Sequence, residues 1–288
     1  MEKRSVLVTG VSTGIGRSTA ALLVKQGFHV FGSVRKKADA DAFVLELGSS
    51  SVTPLILDVT DASAVVAAAD QVAAKLSEGN LAGLVNSAGI AAQGPLIYQP
   101  IDDFFRHFDI NVLGPFRMVQ AFAPLLGVDP SRKGPPGRIV NVSSIAGKLA
   151  APFLGAYAGS KHALEAYSDS LRRELMMFGI DVVVVGPGAV KTPIWEKSQG
   201  QDRSAYEATA YRDALGKFEK GMMEEARKGG SPETIARAIH HALTTRRPKA
   251  RYAVVAHRVR NWSIPLALPK RMVDRVIANR LGLSAARS

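Results

Sequence analysis

Short apolar runs alternate with longer amphipathic stretches through the first 190 residues. The runs at 6–9, 30–34, 53–57, 84–86, 139–143 and 182–186 are rich in Val, Ile and Leu and are bounded by Gly or polar residues. Near-continuous apolar runs of this length suit parallel strands covered on both faces. Between them, residues 15–26, 62–76, 102–126 and 157–178 place apolar side chains at helical spacing. Asp39 and Asp41 read as the opening of another helix. Repeated β-α units predict an α/β fold: a doubly wound parallel sheet of about seven strands, with right-handed crossovers and helices on both faces. Beyond residue 190 the pattern changes. Residues 194–228 read as helical and charged, and 231–245 as a helix with Ser231 at the N-cap and Pro232 in its first turn. Residues 252–256 suit a last strand. Pro265 and Pro269 interrupt the stretch after that strand, and 270–281 has the spacing of a basic amphipathic helix.

Composition narrows the class. With 288 residues, 47% hydrophobic and 22% charged, the chain can bury an ample core, and disorder is excluded for most of it. Cysteine is absent, so a disulfide framework, a thiolate metal site and a cysteine nucleophile are excluded. The six histidines, His29, His107, His162, His240, His241 and His257, show no metal-ligand spacing with a carboxylate, and no metal is expected. The longest uncharged run, 79–101, is broken by Asn, Gln, Gly and Pro and does not predict a membrane span. Residues 1–4 lead straight into the first strand without the pattern of a secretory signal, so a cytoplasmic location is expected.

Charge is unevenly placed. Residues 246–288 hold eleven lysines and arginines against the single acid Asp274, while the rest of the chain is near neutral, with 26 basic and 24 acidic residues. A basic tail on a neutral body argues against nucleic acid as the partner of the whole domain.

The chemistry begins at the first strand–helix turn, Thr9-Gly10-Val11-Ser12-Thr13-Gly14-Ile15-Gly16. Glycines there permit a tight turn and bring backbone N–H groups close to a pyrophosphate at a helix N-terminus. A dinucleotide site specific for NAD usually has an acid at the end of the second strand. Here that position is Val34, followed by Arg35, Lys36 and Lys37. Without a carboxylate a 2′-phosphate is not repelled, and Arg35 can fork onto it. NADP(H) is therefore preferred, with NAD(H) also compatible.

Tyr157-Ala158-Gly159-Ser160-Lys161 sets Tyr and Lys four apart, on one helix face, with Ser144 thirteen residues upstream at a strand end. Hydride transfer to a carbonyl needs a proton donor at oxygen, and the reverse reaction needs a base. A tyrosine serves both when its pKa falls from about 10 towards neutrality, and the neighbouring Lys161 ammonium is expected to supply part of that fall. A serine hydroxyl can hold the substrate oxygen.

Together these residues resemble the short-chain dehydrogenase/reductase family in its compact single-domain form, over about residues 4–245. Its TGxxxGxG reads Thr9, Gly10, Gly14 and Gly16; its NNAG reads Asn86-Ser87-Ala88-Gly89, with Ser for the second Asn. The resemblance implies a Rossmann-type fold. It implies catalytic roles for Asn111, Ser144, Tyr157 and Lys161: Lys161 binds the nicotinamide ribose and lowers the tyrosine pKa, Tyr157 is the acid or base, Ser144 orients the substrate and Asn111 supports a proton relay. It implies a cofactor site of Gly10, Ser12, Thr13, Gly14, Ile15, Gly16, Arg35, Asp58, Val59, Asn86, Ala88, Gly89, Tyr157, Lys161, Pro187, Gly188, Val190 and Thr192. The implied substrate pocket comprises Ser144, Ile145, Leu149, Phe153, Leu154, Tyr157, Ile194 and Trp195, with Leu96 and Ile97 nearby. Its apolar lining suits a lipophilic alcohol or ketone, and the segment at 30–35 with the long tail is similar to the retinol/hydroxysteroid branch. The organisation implied is one catalytic domain over 1–250, with a lid at about 190–228, and a basic extension over 251–288 packed on or beside it. The tail has three readings: it completes the pocket, it lies on an anionic membrane surface as a peripheral contact, or it is a solvated last helix. A homodimer or homotetramer is implied through helices 102–126 and 157–178, with Leu164, Leu171, Leu175 and Phe178 as interface or core. Two other functions stand beside the alcohol dehydrogenase/carbonyl reductase: a non-catalytic NADP(H)-sensing protein of the same fold, which leaves the intact Asn–Ser–Tyr–Lys set without purpose, and a methyltransferase using the Gly-rich loop, which leaves the Ser/Tyr/Lys spacing unexplained.

Overall fold

A computed structural model of the chain describes residues 4–194 and 204–284. Seven strands form one parallel sheet: β1 (Ser5–Val8), β2 (His29–Val34), β3 (Val52–Ile56), β4 (Gly83–Asn86), β5 (Arg138–Val142), β6 (Asp181–Pro187) and β7 (Arg251–Val254), in the order β3-β2-β1-β4-β5-β6-β7. The helices are α1 (Gly14–Lys25), α2 (Lys37–Leu47), α3 (Ala62–Leu76), α4 (Ile101–Phe108), α5 (Gly114–Phe122), α6 (Gly155–Glu174), α7 (Ser204–Glu207), α8 (Arg212–Lys228), α9 (Pro232–Thr244), α10 (Ile264–Ala267) and α11 (Lys270–Leu281). The alternating strand faces explain the sheet's double cover. Val6, Val8, Val30, Val85 and Val140 face Leu23 of α1, Phe43 of α2 and Ile239 of α9. Leu7, Phe31, Leu84 and Ile139 face Val65 of α3, Phe122 of α5 and Leu171 of α6. Burying both faces takes the whole strand out of water, which is why these strands read as unbroken apolar runs.

The strand order reverses between β1 and β4, and the crevice outside their carboxyl ends is where open α/β sheets take ligands. Helix 102–126 of the sequence reading is not continuous. A π-helical turn at Asp109–Leu113 separates α4 from α5, and α5 restarts with Pro115 in its first turn. The seventh strand pairs in parallel with β6 and so draws the start of the basic tail into the sheet. Among the described residues, no helix is long and apolar enough to cross a membrane.

Candidate active site

The turn after β1 is shaped by its glycines. Gly10 and Gly14 adopt positive φ, and a Cβ on Gly16 would lie 2.3 Å from the Gly10 carbonyl oxygen. Helix α1 therefore starts hard against the turn, with its free N–H groups facing the crevice. The Thr9 hydroxyl accepts from the N–H groups of Ser87 and Ala88 at 2.9 and 3.0 Å, tying the end of β1 to the loop after β4. The Ser33 hydroxyl accepts from Gly10 N–H at 3.1 Å. The resulting groove is lined by Ser12, Thr13, Ile15, Arg35, Asp58, Val59, Ala88 and Gly89, and is closed on one side by Thr192 and Ile194. Arg35 stands on its rim, 66% exposed, with its guanidinium 4.0 Å from the Asp58 carboxylate. Asp58 is itself held by the backbone N–H and hydroxyl of Thr60 at 3.0 and 2.8 Å. Glycine-floored and bordered by an exposed guanidinium, the groove fits a dinucleotide phosphate.

The groove ends at a buried polar cluster. Helix α6 carries Tyr157, Ser160, Lys161, Glu165 and Ser168 down one buried face. The Lys161 ammonium donates to the Val142 carbonyl at 2.9 Å and lies over the Tyr157 ring, 5.8 Å from its centre. The Asn111 amide donates to the Ile90 carbonyl and the Ser160 hydroxyl, each at 3.0 Å, and its oxygen accepts from Ile90 N–H at 2.9 Å. The Ser144 hydroxyl accepts from Ala146 N–H at 3.1 Å at the end of β5. A Cβ on Gly89 would meet Asn111 Oδ1 at 3.1 Å and Lys161 Nζ at 3.7 Å, so the groove floor opens directly onto these two groups.

Burial sets the titration of this cluster. It pushes the Tyr157 phenol above its usual value, while a hydrogen bond with Ser144 works the other way. It pulls the Lys161 ammonium down to about 8, against the Glu165 carboxylate, which raises it. The expected fall of the phenol towards neutrality under the lysine's charge is not found here. The lysine addresses a backbone carbonyl and the face of the ring, and desolvation of the phenolate dominates.

Beyond Ser144 and Tyr157 lies a second cavity of about 260 Å³. Ile145, Leu149 and Leu154 wall it near the tyrosine, Gly188 and Ala189 come from the segment after β6, Phe218 and Met222 from α8, and Ile277 and Leu281 from α11. Lys217, Glu225 and Arg280 stand exposed on its margin. The basic tail thus contributes part of the wall.

Several expected residues lie elsewhere. Phe153 is buried behind the cavity wall among Tyr206, Leu215 and Leu281. Ile194 borders the dinucleotide groove instead of the second cavity. Asn86 is buried in the sheet and donates to Asn141 at 2.8 Å, so it locks β4 to β5. Val190 packs in the core beside α9 and pairs with Gly230. Pro187 is buried at the end of β6. Leu96 and Ile97 are exposed. Trp195 lies outside the described residues. Leu164, Leu171 and Leu175 are buried within the protomer, and Phe178 packs against the same core.

Other contributors were missed. His107 is buried and neutral, with its pKa lowered by desolvation. Its Nε2 accepts from Ala92 N–H at 2.9 Å, which fixes the loop carrying Gly89 and Ile90. Phe218 and Met222 left a signal, an apolar stripe with Leu215 on an otherwise charged helix. His107 left none, because its partner is a backbone group.

Comparisons with known proteins point the same way. A family model described as short chain dehydrogenase matches residues 4–203. The chain is 36% identical over 273 residues to an NADPH-dependent 3-dehydrocapnine reductase of Ornithobacterium rhinotracheale, covering 95% of each protein. It is 33% identical over 286 residues to retinol dehydrogenase 5 of Homo sapiens, covering 94% of this chain and 87% of that one. A short-chain dehydrogenase structure from Streptomyces avermitilis matches over the whole of both chains with a TM-score of 0.76 and 27% identity. One from Burkholderia phymatum, solved in complex with NAD, shares the fold with a TM-score of 0.78 at 21% identity, over 96% of this chain and 95% of that one.

Proposed function

This chain belongs to the short-chain dehydrogenase family, and from that premise we propose that it is an NADP(H)-dependent reductase of lipophilic ketones or aldehydes, reversible on the matching alcohols. The observation that carries this reading is the placement of Ser144 and Tyr157 on the wall of an apolar cavity, with Lys161 between that tyrosine and Gly89 of the dinucleotide groove. A nicotinamide dinucleotide, when bound, supplies the hydride. The chain's own residues do the rest. Ser144 holds the substrate oxygen beside Tyr157, and the tyrosine gives that oxygen a proton. A phenol kept neutral by burial is protonated across the physiological range, which suits the reducing direction. Lys161 holds the nicotinamide ribose, while Asn111 fixes the Ile90 backbone next to Gly89 on the groove floor.

The NADP(H) preference is supported by Val34 at the end of β2 and by Arg35, whose loose, exposed pairing with Asp58 a phosphate can displace. It accords with the NADPH dependence named for the Ornithobacterium relative. The substrate reading is supported by the aliphatic cavity wall. Lys217, Glu225 and Arg280 on its margin favour an amphiphile with a polar or charged end over a bare hydrocarbon. Retinol dehydrogenase relatives accord with a lipophilic alcohol. A dimer through residues 102–126 and 157–178 accords with the exposed Phe105 on α4, Leu113 in the π-helical turn and Phe116 on α5, and peripheral contact with anionic lipid through the tail accords with Val259, Ile264, Leu266, Met272 and Val276, exposed among its cations.

Fluorescence titration with NADPH and NADH tests the cofactor reading. The expected result is tighter NADPH binding, with a loss of about tenfold or more in Arg35→Ala and NADH binding unchanged. NADH bound as well as or better than NADPH by the wild type overturns the reading.

A further inference from the structure

We propose that Glu165 and Arg251 form a positioning pair that ties the last strand to both Lys161 and Ser144. The proposal rests on the reductase reading above and adds two residues to it.

Glu165 sits one turn after Lys161 on the buried face of α6, with its side chain only 4% exposed. Both its carboxylate oxygens accept from Arg251 Nε, at 3.0 and 2.9 Å, and the Lys148 ammonium is 3.6 Å away. Arg251 enters from β7, at the sheet edge. Its Nη2 reaches past the carboxylate and donates to the Ser144 carbonyl at 3.2 Å, and its guanidinium lies over the Trp262 ring at 4.4 Å. One arginine therefore joins a buried carboxylate, the backbone of the substrate-orienting serine and an aromatic ring of the tail.

Two glycines open the way for this link. A Cβ on Gly186 of β6 would lie 2.4 Å from Arg251 Nη2, and one on Gly147 would lie 3.0 Å from Glu165 Cγ. Any larger residue at either place would push the guanidinium or the carboxylate aside. Such a path, cleared on both sides of a buried ion pair, is not required by the sheet.

The pair acts on the two ends differently. The carboxylate opposes the desolvation of Lys161, so it holds the ammonium's pKa above where burial alone would set it. The other charged and titratable groups around this lysine are Tyr157 on α6, His107 on α4, Lys148 on the loop after β5 and Arg251 itself. The arginine fork fixes the Ser144 backbone, and with it the hydroxyl beside Tyr157. Lysine at 251 keeps the charge but cannot reach both partners.

The test follows the Lys161 side chain by NMR in isotope-labelled protein without cofactor, assigning its signal by loss in Lys161→Arg. It then compares pH profiles of kcat. In Glu165→Gln, Lys161 is expected to titrate at lower pH than in the wild type, and the alkaline limb of kcat to move with it. In Arg251→Lys, the lysine titration is expected to hold while kcat falls about tenfold, with NADPH affinity unchanged. Melting curves confirm that each variant is folded. Should Glu165→Gln fail to fold, Glu165→Asp keeps the charge but shortens its reach, and is expected to lower kcat while Lys161 titrates close to the wild-type value. A folded Glu165→Gln with an unmoved Lys161 titration overturns the electrostatic half. An Arg251→Lys that turns over at the wild-type rate overturns the positioning half. A wild-type protein inert to every carbonyl substrate would refute the reductase reading, while the lysine titration would still judge the pair.

Discussion

Tyr157 and Lys161 are both nearly out of water, and desolvation moves each towards its neutral form: the phenol up, the ammonium down to about 8. The neutral phenol carries the proton that reduction needs, though its raised pKa makes it a weaker acid than a free tyrosine, and the lysine is the fragile member. Its charge is present below its pKa and is lost as pH rises through about 8. Since that charge steadies the nicotinamide ribose in the proposed mechanism, the kcat for carbonyl reduction is expected to decline above about pH 8, well below the range where a free lysine discharges. A pH profile measured at saturating NADPH checks this; a flat profile through that range would contradict it. At this scale the sequence was readable wherever a residue's role follows from its near neighbours. Tyr157 and Lys161 share a helix face by spacing alone, and Val34 with Arg35 stands at a strand end that counting can find. The surroundings of Phe153, Ile194 and Asn86 were not legible, because a loop's path, or a side chain's choice between groove and core, depends on elements far away in the chain.

At the scale of elements, the π-helical turn at Asp109–Leu113 is the departure that matters. It turns Asn111 inward, where its amide satisfies both the N–H and the carbonyl of Ile90. Bulges of this kind are frequent at functional sites because they re-aim one side chain at the expense of regular hydrogen bonding. Asn111→Ala is expected to leave those two backbone groups unpaired, lower stability by about 1–3 kcal/mol and loosen the loop bearing Gly89. Denaturant melts and the loss of kcat report the two effects; a variant matching the wild type in both would contradict the role given to Asn111. The pattern of 102–126 reads as one helix because nearly every position tolerates helix. Gly114-Pro115 was the available warning, since proline interrupts the helical ladder. The strands, by contrast, were plain. A parallel strand buried on both faces has little freedom in composition.

The whole molecule joins a near-neutral body to a basic tail that lines the cavity beside Ser144 and Tyr157. Arg251 enters the sheet, Trp262 stacks on it, and Ile277 and Leu281 wall the cavity. Charge counting exposed the tail, and Ile277 and Leu281 in the cavity wall favour, of its three readings, the one in which it completes the pocket. That choice was hidden from the sequence, because an amphipathic helix shows which face is apolar but not what it covers. Leu281→Ala is expected to raise KM for an apolar ketone about tenfold, as fits the loss of roughly 1.5 kcal/mol of apolar contact, with NADPH affinity unchanged. An unchanged KM would place the substrate elsewhere. The central claim is that Tyr157 protonates a carbonyl substrate held between the groove and this cavity. It is tested most directly by following NADPH oxidation with a panel of amphiphilic ketones and aldehydes, in the wild type and in Tyr157→Phe, with NADPH binding measured in both. Turnover by the wild type and none by a variant that still binds NADPH is the expected result. Turnover by Tyr157→Phe at the wild-type rate would contradict the claim.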